Sequence, residues 1–249
     1  HVFNDNGMEI YSFVGGQVGQ IHDAAVDSDG TIFIIALRDS RTEIIRCNYR
    51  GEPVETIALK NVPPDFSGFV PSRVVYRAGM LYLFGLDKTI GKVIVIDRTG
   101  LFKDGYNLAE LIDLPEKDRG DSAISGFSVD QKGNMLFTMP ILAKAYIVSP
   151  DRKVESFGKR GSAYGKFGVP SGIAVDASGR YIFVADILRC LVMIFDSENN
   201  FKCIREFGFR GFGPSNLIGP DSLAIDDANR LYVSQLRQRG INVYQITFP

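Results

Sequence analysis

Few residues of this chain come in types and spacings that could do chemistry. There are two histidines, His1 at the terminus and His22. A catalytic zinc site takes about three protein ligands, so a histidine-rich metal centre is excluded. His22 beside Asp23 keeps one chemical option, the relay of a proton; the plainer reading is a solvated surface histidine. Asp27-Ser28-Asp29-Gly30 has the acidic start of a calcium loop. Such a loop runs on to further oxygen ligands and a terminal glutamate, and turn chemistry accounts for these four residues without a metal. The glycine-rich stretches 158–168 and 208–219 lack the Lys-Ser/Thr pair and helix of a phosphate loop and read as connectors. Cys47, Cys190 and Cys203 have no CxxC spacing and allow one disulfide at most. Nothing here calls for a cofactor, a metal ligand set or a catalytic residue.

The elements that carry these residues are repeats. Four turns share one chemistry: Val26-Asp27-Ser28-Asp29-Gly30, Val129-Asp130-Gln131-Lys132-Gly133, Val175-Asp176-Ala177-Ser178-Gly179 and Ile225-Asp226-Asp227-Ala228-Asn229. A fifth, Val75-Tyr76-Arg77-Ala78-Gly79, keeps the glycine without the acid. The last position is Gly or Asn each time, the residues that tolerate positive φ in a short hairpin loop. The aspartate can accept backbone amides two residues on and pin the turn. Positions 27, 76, 130, 176 and 226 stand 49, 54, 46 and 50 residues apart, near the period of about 40–50 residues of a four-stranded propeller blade. Around them, 31–36, 80–84, 181–185 and 230–234 are short, β-branched or aromatic runs, the pattern of strands. Only 107–113 looks helical. Five repeats result, at 22–59, 71–112, 124–158, 170–208 and 220–248. They predict an all-β chain, 1–249, folded as one propeller of four-stranded antiparallel blades.

The last repeat holds three strands, and 8–14 has the fourth-strand pattern, so the N-terminal strand is expected to complete the final blade and close the ring. Val2-Phe3-Asn4 duplicates a third strand, which keeps a six-bladed ring as the alternative.

Two connectors carry a family resemblance. Phe157-Gly158-Lys159-Arg160-Gly161 and Gly165-Lys166-Phe167 lead into Pro170-Ser171-Gly172-Ile173-Ala174-Val175-Asp176, followed by Val184-Ala185-Asp186 and Met193-Ile194-Phe195-Asp196. Phe207-Gly208-Phe209-Arg210-Gly211 leads similarly into Pro220 and Ile225-Asp226. This resembles the NHL repeat, over 157–207 most specifically and over 60–125 weakly. Where the family has Asn and then His-Arg after its Val-Ala-Asp, this chain has Arg189-Cys190-Leu191. The resemblance implies a propeller, commonly six-bladed, that serves as a rigid binding platform. It also implies the alternatives: propeller relatives include lactonases and lyases with a metal in the central channel, and some NHL domains bind RNA through a basic face.

Composition and charge then rank these readings. The chain has 45% hydrophobic and 23% charged residues and a net charge of −1, so no global charge draws nucleic acid or an anionic membrane. Its longest apolar runs fall far short of the ~20 residues of a membrane-spanning helix. In a propeller the loops between second and third strands share a face with the blade-to-blade linkers. That face gathers sixteen basic and ten acidic residues, +6, against −7 elsewhere. Its binding candidates are Arg38, Arg41, Lys88, Lys144, Arg189, Arg237 and Arg239, with His22 near them. The first expectation is therefore a monomeric, non-enzymatic scaffold that binds a protein or peptide, anionic in character. A metal-dependent hydrolase or lyase comes second, and nucleic-acid binding third. A chain that opens in mid-pattern without a leader fits a removed export signal and an extracytoplasmic location.

Overall fold

Twenty-one strands dominate a computed structural model of the chain, which describes residues 2–3, 8–12, 18–87, 90–115, 123–236 and 240–248. The fold is all-β, with the antiparallel blades of a five-bladed β-propeller. It falls into two compact units, His1–Leu108 and Ala109–Pro249.

The first unit holds a short pair, β1 (Val2–Phe3) with β2 (Glu9–Tyr11), and two four-stranded sheets. One is β3 (Gln20–Val26), β4 (Ile32–Arg38), β5 (Arg41–Cys47) and β6 (Pro53–Ile57). The other is β7 (Val70–Arg77), β8 (Met80–Asp87), β9 (Ile90–Asp97) and β10 (Phe102–Asn107). A one-turn helix, α1 (Leu108–Leu111), follows, inside the only segment read as helical. The second unit holds three sheets. The first is β11 (Phe127–Val129), β12 (Met135–Met139), β13 (Lys144–Val148) and β14 (Val154–Phe157). Next comes β15 (Pro170–Val175), β16 (Tyr181–Asp186), β17 (Leu191–Asp196) and β18 (Lys202–Phe207). The last is β19 (Pro220–Ile225), β20 (Arg230–Gln235) and β21 (Ile241–Gln245). Within every sheet consecutive strands pair in sequence order, so each repeat is one meander.

One expectation is corrected. Glu9–Tyr11 pairs back onto Val2–Phe3, and the last sheet contains three strands among the described residues. The pairing expected for 8–14 is thus satisfied locally, by the segment whose third-strand pattern had looked redundant. Residues 13 and 14 lie outside the described residues.

Sheet packing explains the sequence pattern. Every residue of β12, β15, β16 and β17 is buried, because a strand in the middle of a stack is covered on both faces and needs apolar residues throughout. Outer strands meet solvent: β6 has four exposed residues of five, and β14 exposes Glu155 and Ser156. In β21 half-buried Asn242 and Tyr244 alternate with exposed Ile241, Val243 and Gln245, the period-2 signature of a sheet covered on one face. Phe137, Phe167, Phe183 and Phe195 are fully buried between the sheets of the second unit.

The repeated turns behave as their chemistry requires. Asp27, Asp130, Asp176 and Asp226 accept the amides of Asp29, Lys132, Ser178 and Ala228 at 3.2, 2.8, 3.3 and 3.0 Å. Gly30, Gly133, Gly179 and Asn229 take φ of +84°, +83°, +79° and +58°. The copy without the acid turns differently. Arg77 pairs directly with Met80, and Ala78-Gly79 form a two-residue loop with both φ positive, a type I′ hairpin.

Candidate functional site

The innermost strands share a device that the repeat pattern did not reveal. Each of β3, β7, β15 and β19 begins with a bulge, at Ile21/Asp23, Pro71/Arg73, Pro170/Ile173 and Pro220/Leu223. A bulge breaks pairing and re-aims side chains. In the second unit the freed groups tie one sheet to the next. Ser171 Oγ donates to the Pro220 carbonyl at 2.8 Å, Thr138 Oγ donates to the Ser171 carbonyl, and Gly126 N donates to Thr138 Oγ at 2.8 Å. The backbones come so close that a Cβ on Gly172 would lie 2.5 Å from the Asp221 carbonyl oxygen. Polar groups at this inner end are therefore engaged with backbone. The Pro-Ser and Pro-Asp starts of the repeats were the available signal, since proline enters sheets at strand beginnings and bulges.

In the first unit the corresponding position is Asp23, whose carboxylate accepts the Val74 amide at 2.9 Å. Burial raises its pKa above the usual aspartate value, against the lowering pull of that hydrogen bond. Its neighbour His22 is the unpaired residue of the bulge and is exposed. Among the described residues no three His, Cys, Asp or Glu side chains gather into a set that could hold a metal ion.

At the same end of these strands lie the loops between second and third strands, where the sequence placed its binding candidates. Arg38 and Arg41 flank the β4–β5 turn and are exposed, as is Lys144 at the start of β13. Lys88, Arg237 and Arg239 lie outside the described residues. Arg189 is different: its side chain is 13% exposed and grips Glu206, 5% exposed, through two nitrogens at 2.8 and 2.7 Å. The same guanidinium donates to the Lys166 carbonyl at 2.7 Å, and Glu206 accepts the Gly165 amide at 2.7 Å. Arg189 is a clamp on the linker, and Glu206 is its counter-ion. Asp186, counted in sequence as a surface acid, is fully buried and accepts the amides of Gly168, Val169 and Arg189 at 2.7, 3.1 and 2.9 Å. Gln235 holds the next linker the same way, through Ile218 N at 2.7 Å. The Asp of the Val-Ala-Asp run is thus a linker latch.

The linkers themselves are repeated loops. Gly161 N donates to the Phe167 carbonyl and Phe167 N to the Lys159 carbonyl, both at 2.9 Å, while Leu217 N donates to the Phe209 carbonyl at 3.0 Å. Each loop buries one side chain, Phe167 or Leu217. Gly158, at φ +91°, is needed because a Cβ there would strike the Phe167 ring at 2.1 Å. With their inner residues anchored, the loops push others outward. Tyr164 is 60% and Phe212 88% exposed, and Phe209 is exposed between them in sequence. The adjoining loops of the second unit add exposed Ile141, Leu188 and Leu236. Large apolar side chains at loop tips, beside Lys144, Lys159 and Lys166, were missed by the charge count, although each is legible as an apolar residue inside a turn.

The cysteines are all free. Cys203 pairs across strands with Phe195 and so does not stand opposite Cys190. Burial, then the Glu206 charge, pushes the Cys203 thiol up to about 11, which keeps it protonated at neutral pH.

No family model matches the chain, and no curated protein matches it either. Solved structures do share its fold. A protein of unknown function from Bacteroides caccae superposes with a TM-score of 0.62 at 13% identity, over 94% of this chain and 78% of its own. A virginiamycin B lyase from Staphylococcus aureus gives 0.57 at 16%, over 94% and 73%. A chain of a nidogen–laminin complex gives 0.61 at 14%, over 90% and 75%. At such identities the shared property is the β-propeller fold, common to a lyase and to a member of a protein–protein complex.

Proposed function

We propose that this chain is a non-enzymatic binding propeller of the NHL kind, a single scaffold over 1–249. The loop face of its second unit docks a protein partner of anionic character. The observation that carries this reading is the set of exposed apolar side chains on anchored loops, Ile141, Tyr164, Leu188, Phe209, Phe212 and Leu236, placed beside unpaired lysines. Aromatic and apolar anchors held on a rigid backbone lose little entropy on binding and form the energetic centre of protein interfaces. Lysines around them steer an acidic partner and set the salt dependence of association. Arg38 and Arg41 present the same chemistry on the first unit. Arg189 supports the surface by fixing the linker, so its replacement would damage the scaffold before it tested contact. A nidogen–laminin chain on the same fold supports the reading.

The test is site-specific photocrosslinking in the source cells. A benzophenone side chain at Phe212 is expected to trap one discrete protein, and Lys144→Glu is expected to cut the yield several-fold. The same group at Ser178, on an aspartate turn at the other end of the strands, is expected to trap none. Equal trapping from both positions, or none from Phe212, would overturn the reading.

A further inference from the structure

We propose that a lateral cleft in the second unit, between the outer strands β14 and β18, binds a small organic anion with an aryl body and a multiply charged head. The cleft measures about 670 Å³ and runs from the linker residues Lys159, Tyr164 and Lys166 to residues 200–203, a size typical of small-ligand sites. It shares Lys144, Lys159, Tyr164 and Lys166 with the proposed docking face, and a titration with a small molecule reads the cleft without any protein partner.

Four lysines line the cleft: Lys144, Lys159, Lys166 and Lys202. No carboxylate lines it with them. Glu206, bonded to the lining residue Gly165, is already held on both oxygens by Arg189 and on one by the Gly165 amide. Four ammonium groups around one concavity repel each other, and an anion between them relieves that repulsion where low-dielectric walls strengthen it. Lysine is a compact point-charge donor suited to phosphate and sulfonate oxygens.

The floor is aromatic. Phe157 and Phe201 stack at 4.7 Å with their planes 5° apart, and Phe157 packs against Phe195 at 4.9 Å. Exposed Tyr164 stands on the linker at the edge. A ring slipped between Tyr164 and this floor gains offset-stacked contact while its anionic head meets the lysines. The chain around the cleft disfavours an extended polyanion. Exposed Glu155 precedes Ser156 in β14, and exposed Glu198 lies just before Asn200, so a nucleic-acid backbone leaving the cleft meets negative charge. The built-in selectivity is for a short ligand.

Calorimetric titration of the full chain with 1-naphthyl phosphate tests the proposal. The expected result is one saturable site, with inorganic phosphate and 1-naphthol each at least tenfold weaker. Lys202→Glu and Tyr164→Ala should each weaken the ester about tenfold or more, with unfolding midpoints unchanged. Lys132→Glu, outside the lining, should leave binding as it is. Phosphate binding as tightly as the ester, equal loss from Lys132→Glu, or no saturation below the millimolar range would each overturn the proposal.

Discussion

The clamp on the first linker of the second unit gives the sharpest quantitative expectation. Arg189 and Glu206 are nearly buried, at 13% and 5% exposure, and meet through two nitrogens at 2.8 and 2.7 Å. Glu206→Gln keeps the volume and an acceptor for Gly165 N but removes the counter-ion of a desolvated guanidinium. Breaking one side of a buried pair typically costs about 3–5 kcal/mol. The Lys166 carbonyl still accepts from Arg189, which places the expected loss at about 3 kcal/mol, the lower end of that range. Arg189→Met should cost a similar amount, because it strands a buried carboxylate. The double variant strands neither charge, so it should cost less than the two single losses together, by about 2 kcal/mol or more of coupling. Urea unfolding followed by far-UV circular dichroism measures the losses, since the chain has no tryptophan. Hydrogen exchange at the Gly165 amide, bonded to Glu206 at 2.7 Å, reports the linker locally and should accelerate in both single variants. A loss under 0.5 kcal/mol for Glu206→Gln, or strict additivity with no change at Gly165, would refute the clamp.

Four further expectations follow from the same geometry. Asp176→Ala removes the acceptor of Ser178 N and of Tyr181 N, the latter at 2.8 Å in a buried setting, and should cost about 1–3 kcal/mol; urea midpoints unchanged by the substitution would show the turn is not pinned by its aspartate. Acid should destabilise the chain. The Thr31 hydroxyl and amide hold Asp29 at about 2, the Thr99 hydroxyl and Lys103 lower Asp97, and Arg180 lowers Asp196. Their contribution is complete above the unfolded value of about 4 and is lost as pH falls through their lower folded values. Asp23 has the opposite sign: burial raises it, so Asp23→Asn should raise the urea midpoint at pH 7 and leave it less changed in acid. A midpoint constant from pH 6 to 2.5 contradicts the first claim, and a lower midpoint for Asp23→Asn at pH 7 contradicts the second. Finally, with its thiol pushed to about 11, Cys203 should alkylate with iodoacetamide about a hundredfold slower at pH 8.5 than a free cysteine, whose pKa is about 8.5; alkylation at the free-cysteine rate rules that environment out.

The sequence carried the fold because each blade is built from short-range chemistry. An aspartate two residues before its amide partner, and a Gly or Asn at positive φ, are local facts, and Asp27, Asp130, Asp176 and Asp226 all act as their neighbours foretold. The fully buried runs of β16 and β17 follow from being covered on two faces, which continuous hydrophobicity records without further help. Three-dimensional pairing is where sequence fails. Glu9–Tyr11 had two possible partners of similar pattern, and only the closing distance between Val2–Phe3 and itself decides for the local hairpin.

The same limit governs the candidate site. Charge counting treats every arginine or aspartate near a turn as surface, yet Arg189 in its loop and Asp186 at the end of β16 are engaged by groups distant in sequence, Glu206 at +17 and Gly168 at −18. A side chain that satisfies backbone amides in a linker looks identical in sequence to one awaiting a partner. What separates them is whether the linker folds back on its own blade, and that depends on Phe167 and Leu217 finding the core. Burying those two residues frees the loops' other apolar side chains from any core duty. The proposed binding surface and the folding core therefore draw on different residues of one short segment: Phe167 in and Tyr164 out, Leu217 in and Phe212 out. Replacing Phe167 by alanine should accordingly damage contact through Tyr164 without touching it, which distinguishes a surface held by its fold from one that acts by composition alone.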